Sequence, residues 1–173
     1  MDLASTIRSV ADFPKKGIVF RDITTLLKNK DALRLSLDML YEQYKNERID
    51  KVVGIESRGF ILGSALAIKL GAGFVPIRKP GKLPAEKVRQ EYQLEYGSDA
   101  IEIHRDAITK GERVLLHDDL LATGGTILAA AKLVEQLGGT IVGLSFLIEL
   151  SFLQPRKRLA QYNIFSLITY DRE

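Results

Sequence analysis

An alternation of short apolar runs with longer amphipathic stretches constrains this chain more than any other feature. Lys51–Ile55 (KVVGI) and residues 74–77 (FVPI), 113–116 (RVLL), 140–148 and 164–168 are apolar and of strand length. Residues 31–47 place Leu33, Leu37, Leu40, Tyr41 and Tyr44 on one helical face, with Asp31 as the expected cap. Residues 59–70 read as a helix closed by Gly71. Residues 123–137 carry Ile127, Ala131, Val134 and Leu137 on one face and end at Gly138-Gly139. A short helix is expected at 154–160. This order predicts an α/β fold with a central, mostly parallel sheet flanked by helices.

The 173 residues suit a single domain, and 46% hydrophobic with 27% charged residues is ordinary globular composition. There is no cysteine, which excludes disulfides, thiolate zinc sites and a cysteine nucleophile. Twenty-five basic against 22 acidic residues leave a net charge of +3, too small and too scattered for a dedicated nucleic-acid binder. No stretch reaches the roughly 18 apolar residues of a membrane span, and the N-terminus has no signal-peptide pattern. The expectation is a soluble, cytoplasmic protein with no membrane or nucleic-acid partner.

Two regions break the alternation. Residues 79–90 (KPGKLPAEKVRQ) read as a long charged loop. Tyr92, Leu94 and Tyr96 then alternate with Gln93 and Glu95. After a turn expected at Gly97-Ser98-Asp99, Ile101 and Ile103 alternate with Glu102 and His104, predicting a half-exposed antiparallel hairpin. Near the N-terminus, Val19, Phe20 and Arg21 lie in a stretch read as irregular and outside the sheet.

Residues 114–126 (VLLHDDLLATGGT) carry the most chemistry. A strand ending in Asp118 and Asp119 leads into Ala122, Thr123, Gly124, Gly125 and Thr126, and a helix follows at once. At the carboxyl end of a parallel strand such a loop sits where ligands bind. Glycines admit close backbone approach, and N–H groups at the helix start can cradle a phosphate. Two carboxylates beside that cradle suit a ligand that also offers hydroxyls, such as the 2′ and 3′ groups of a ribose. An acid pair before a plain glycine turn is the alternative.

Residues 56–59 (ESRG) also join a strand to a helix, so the Arg58 fork with helix N–H groups forms a second candidate anion site. Arg78, Lys79 and Lys82 form a basic flap, or else a solvated charged loop. Glu95 falls on the polar face of the hairpin. Val19 and Phe20 beside backbone amides could hold a flat, largely apolar base. No Walker A sequence, dinucleotide fingerprint or catalytic triad is present. The histidines, His104 and His117, are too far apart to suggest zinc.

Residues 114–126 resemble the phosphoribosyl-pyrophosphate (PRPP) binding motif of type I phosphoribosyltransferases: a hydrophobic strand, two acids, then small residues ending in TGGT. Residues 13–24 (FPKKGIVFRDIT), 54–60 (GIESRGF), 77–84 (IRKPGKLP) and 92–97 (YQLEYG) are similar, in the same order, to the adenine-using members of that family. The resemblance covers nearly the whole chain. His117 departs from it, standing where the family usually has an apolar strand residue. It is either a bland strand substitution or a group that tunes the acids.

The resemblance implies one phosphoribosyltransferase domain over residues 1–173. Residues 1–30 would form a small base-binding hood and residues 79–105 a mobile loop and flexible hairpin flap. It implies transfer of the 5-phosphoribosyl group from PRPP to adenine, giving AMP and pyrophosphate, with Mg²⁺ carried mainly by PRPP rather than by a protein metal site. Glu95 would be the catalytic acid/base. Ala122 to Thr126 would bind the 5′-phosphate, and Asp118 and Asp119 the ribose. Arg58, Arg78, Lys79, Lys82 and Tyr96 would serve the pyrophosphate. Val19, Phe20, Arg21 and Leu120 would hold adenine. A homodimer and a distorted backbone at residues 56–58 are further implications. Another base (hypoxanthine, guanine, xanthine or orotate) and a non-catalytic PRPP-binding regulator are the alternatives.

Overall fold

The computed structural model describes residues 1–93 and 97–173. The N-terminal stretch is ordered more than its sequence suggests. β1 (Arg8–Ala11) and β2 (Val19–Asp22) pair antiparallel, with Val10 opposite Phe20 and Ala11 opposite Val19. Val19, Phe20 and Arg21 are therefore strand residues. The intervening loop is closed by Phe13 N–H donating to the Ile18 carbonyl at 3.2 Å, a closure that apolar periodicity does not report.

A short helix α1 (Thr24–Leu27) leads to α2 (Lys30–Tyr44). The cap of α2 is Asn29, not Asp31: its side-chain oxygen accepts from the N–H groups of Asp31 and Ala32, both at 3.1 Å. Asp31 sits in the first turn, where its charge still favours the helix dipole. The buried stripe is Ala32, Ser36, Leu40 and Tyr44, so Leu33, Leu37 and Tyr41 flank it as half-buried neighbours.

The chain then alternates as its pattern requires: β3 (Lys51–Ile55), α3 (Gly59–Leu70), β4 (Gly73–Ile77), the hairpin β5 (Lys87–Gln93) and β6 (Ser98–His104), β7 (Arg113–Leu121), α4 (Gly125–Gln136), β8 (Thr140–Leu150), α5 (Pro155–Arg158) and β9 (Ile164–Tyr170). Five strands form one parallel sheet in the order β4-β3-β7-β8-β9. Neighbouring residues on each strand enter opposite faces. Val53, Leu116 and Phe146 pack in the core beneath α4, while Val52, Leu115 and Leu147 pack with α2 and α3. Burial on both faces explains why these strands read as continuous apolar runs.

The loop expected at 79–90 is shorter, because β5 already begins at Lys87 and pairs with His104. Ser98 and Asp99 belong to β6 rather than to a turn. The hairpin is less exposed than its alternation suggests: Ala100, Ile101, Glu102 and Ile103 are all buried. Glu102 tolerates burial because its carboxylate accepts from Gly81 N–H at 3.1 Å, while its own N–H and carbonyl pair with Arg78.

Candidate active site

The carboxyl ends of β3 and β7 lie side by side, and the candidate residues gather there. β7 does not stop at the acids. It continues through Asp118 and Asp119 to Leu121, in register with Phe146, Ile148 and Glu149 of β8. The acids are thus held by sheet pairing. α4 starts at Gly125, two residues later than the sequence suggests, because Gly124 takes a left-handed conformation (φ 84°) that turns the chain into the helix. A cavity of about 80 Å³ lies in this turn, lined by Ala122, Thr123, Gly124, Gly125 and Thr126 with Asp118 and Leu120. The first N–H groups of α4 have no partner within the helix, so the turn can receive an anion.

A second cavity of about 250 Å³ adjoins it. Its lining includes Glu56, Arg58, Lys79, Asp118, Asp119 and Leu120. Arg58, just before α3, pairs through Nε with Asp119 Oδ2 at 2.7 Å, and its guanidinium lies 5.3 Å from the centre of the Phe20 ring. One side chain therefore links the acid pair to the N-terminal hairpin. The Glu56–Ser57 peptide bond in this segment is cis. Gly59 is needed for close approach, since a Cβ there would lie 2.9 Å from Asp118 Oδ1 and 3.0 Å from the His117 carbonyl.

Burial and the neighbouring Asp119 charge push the Asp118 carboxyl well above the usual carboxylate range. Burial also raises Asp119, against the opposing pull of Arg58. The two acids share one environment and titrate as a pair. Beneath them His117 is fully buried between β3 and β8. Its Nδ1 lies 3.1 Å from Ser145 Oγ, and Nε2 has no hydrogen-bond partner among the described residues. Burial pushes its pKa down to about 4, so the ring is neutral at pH 7.

The expected residues do not all converge. Lys79 reaches the larger cavity, but Arg78 and Lys82 are not in its lining. Arg78 Nε lies 3.3 Å from Glu56 Oε2, and Lys82 is exposed on the loop. Arg21 faces the C-terminal strand, its guanidinium 4.0 Å from the Tyr170 ring centre. Val19 is half-buried on β2, and Leu120 lines both cavities. Glu95 and Tyr96 lie outside the described residues. Among the described residues no group of three or more His, Cys, Asp or Glu side chains could hold a metal ion.

Glu56, Tyr92 and Ile101 also line the larger cavity, though their sequence patterns assign them no site role. Glu56 accepts the Lys79 backbone N–H at 2.7 Å and so anchors the start of the basic loop. Its position directly after a buried strand was the available signal. Tyr92 and Ile101 occupy the inward side of the hairpin, which alternation alone shows as core.

A parallel sheet carrying an acid pair, a glycine turn and a helix start at one end has the layout of a phosphoribosyl transferase domain, and the family model for that domain matches residues 22–171. The adenine phosphoribosyltransferase of Brachyspira hyodysenteriae is 58% identical over 170 residues, covering 98% of this chain and all of the relative. The crystal structure of adenine phosphoribosyltransferase from Thermoanaerobacter pseudethanolicus superposes with a TM-score of 0.95 at 53% identity, covering 98% of each chain. That of the Saccharomyces cerevisiae enzyme, complexed with an imino-altritol bisphosphate and adenine, gives 0.90 at 41% identity over 96% of each chain. The chain belongs to the adenine phosphoribosyltransferase family.

Proposed function

We propose that this chain transfers the 5-phosphoribosyl group of PRPP to adenine, releasing AMP and pyrophosphate, as a step of purine salvage. The observation that carries this reading is the meeting of the glycine turn, the acid pair and Arg58 around two adjoining cavities. The Saccharomyces cerevisiae relative, crystallised with adenine and a bisphosphate, supports the same substrate class.

In the reaction the C1′–oxygen bond to pyrophosphate breaks, the C1′–nitrogen bond to the base forms, and the base loses its ring proton. Positive charge builds on the ribose and negative charge on the leaving group. Electrostatic stabilisation and positioning therefore matter more than covalent catalysis. Ala122, Thr123, Gly124, Gly125 and Thr126 would hold the 5′-phosphate, and Asp118 and Asp119 the ribose hydroxyls. Arg58 and Lys79 would face the pyrophosphate, with Arg78, Lys82 and Tyr96 joining from the loop and hairpin. Val19 and Arg21, with Phe20 beside them, would line the adenine pocket from one side, and Leu120 would lie on the opposite face. Glu95 would move the purine proton. Residues 1–30 would act as the hood and residues 79–105 as the flap, which must exclude water from the ribosyl cation.

Mg²⁺ would arrive on the phosphates of PRPP, which supply hard oxygen donors of their own, with no protein metal site needed. Such an ion would neutralise charge on the pyrophosphate. A homodimer is part of the reading and rests on the resemblance, in which similar enzymes share site residues between subunits near the loop that follows Arg78. A cytoplasmic location is part of the reading, because PRPP and AMP are phosphorylated and do not cross membranes unaided; no helix of the described residues is long and apolar enough to cross one.

The test is nucleotide formation from PRPP with adenine, hypoxanthine, guanine, xanthine or orotate, with and without Mg²⁺. Efficient AMP formation that needs Mg²⁺ is expected. Preference for another base would overturn the adenine assignment, and PRPP binding without nucleotide formation would favour a regulator.

A further inference from the structure

Lys79 sits in the lining of the larger cavity, yet its ammonium is engaged by the hairpin. Nζ is ion-paired with Asp99 Oδ2 and donates to the Tyr92 hydroxyl at 3.2 Å, and the Tyr92 hydroxyl donates to the same carboxylate oxygen at 3.2 Å. Tyr92 and Asp99 face each other across the β5–β6 ladder, so strand register fixes the acceptor. Asp99 Oδ1 takes the Ala100 N–H at 2.8 Å, which orients the carboxylate further. The Lys79 backbone is held separately by Glu56. Moving the ammonium between Asp99 and a ligand in the cavity thus needs only side-chain rotation. The pair is partly open to solvent, with side chains 42% and 32% exposed, so an incoming anion can compete for it. The Lys79 bond holds the Asp99 carboxyl below its usual range, so the acid stays charged at pH 7.

We propose that Asp99 is a positioning residue that competes with pyrophosphate for Lys79. It aims the ammonium at the cavity mouth and weakens the grip on the leaving group, which favours product release. This rests on the phosphoribosyl-transfer reading, because it assigns the cavity's anion as pyrophosphate.

The test compares the full-length wild type with Asp99→Asn and Asp99→Ala, each alone and combined with Lys79→Met. Calorimetry with pyrophosphate and Mg²⁺ measures affinity, and steady-state AMP formation measures kcat and the KM for PRPP. The expected result is pyrophosphate binding about two- to fivefold tighter in both Asp99 variants, the range for a partly exposed charge pair whose lysine is released to the ligand. KM for PRPP and kcat should fall together as release slows. In the Lys79→Met background the Asp99 effect should vanish. Unchanged or weaker pyrophosphate binding, or the same gain without Lys79, would overturn the proposal. If Asp99→Asn fails to fold, Asp99→Ala carries the same test, and loss of folding in both would itself assign Asp99 a purely structural role. A wild type that binds pyrophosphate but makes no AMP would overturn the transfer reading and leave the affinity comparison intact.

Discussion

Arg58 and Asp119 are joined at 2.7 Å across the carboxyl ends of β3 and β7, and the pair is open on one side only: the Arg58 side chain is 41% exposed and the Asp119 side chain 8%. Arg58 thus holds a buried carboxylate and keeps an exposed face toward the cavity it lines. Arg58→Met should strand the Asp119 charge beside Asp118. We expect about 1–2 kcal/mol of lost stability, less than for a fully buried pair because solvent screens the guanidinium. Arg58→Lys should keep most of that stability but lose the fork, lowering kcat/KM for PRPP by roughly 10–100-fold. Denaturant melts and initial rates check both. Equal activity of the lysine variant would remove the fork from pyrophosphate binding.

The glycine turn gives a steric prediction. A Cβ on Gly125 would lie 3.3 Å from Arg158 Nη1 and 3.5 Å from the Gln93 carbonyl, so a branched side chain would press on the hairpin and displace the first turn of α4, which closes the cavity. Gly125→Val should weaken AMP and PRPP together, by roughly tenfold or more for a cradle that loses one charge-assisted bond. Calorimetry with AMP is the measurement, and unchanged affinity would move the phosphate elsewhere.

His117 predicts a pH effect. Its folded pKa, pushed down to about 4 by burial, is below the ordinary 6.5. Between these values the unfolded chain binds a proton that the folded chain refuses. The stability from His117 is fully present above about pH 6.5 and is lost as pH falls toward 4, by about 3 kcal/mol in all. The raised pKa values of Asp118 and Asp119 act oppositely, losing stability as pH rises. The clean measurement is therefore wild type minus His117→Val, by urea melts from pH 4 to 7. A difference that does not vary with pH would mean that His117 titrates normally.

Glu95 lies outside the described residues, and its role rests on the YQLEYG resemblance. Glu95→Gln keeps the shape but cannot exchange the proton. Its kcat should fall by roughly 10²–10⁴-fold with PRPP affinity and Tm little changed. Near-normal turnover with chemistry rate-limiting would pass the proton to water or to pyrophosphate.

The assembly is checked by sedimentation at assay concentration. A homodimer is expected. An active monomer of 19.3 kDa would reject both the dimer and any site shared between subunits.

The sequence by itself determined the sheet, the helices over it and the end at which the acid pair and the glycine turn meet. Their signals are local: apolar runs buried on both faces, helical stripes, and the glycine turn after Asp118-Asp119. It also located Arg58 and the glycine turn, because a strand followed at once by a helix places them. Only the tertiary structure decided what depends on pairing between distant segments. The antiparallel register of β1 and β2 turned an irregular stretch into strands and set Phe20 beneath Arg58. Asn29 displaced Asp31 as cap through side-chain geometry that residue type alone does not fix. Glu102 is buried because Gly81, 21 residues away, brings it a backbone donor. The partition of the loop cations was likewise a matter of distance: Lys79 faces the cavity and is held by Asp99, Arg78 leans on Glu56, and Lys82 remains in solvent. Periodicity reports which face a residue takes. Which carboxylate a given cation meets is set by strand register and loop closure, and these exist only once the sheet and hairpin have formed.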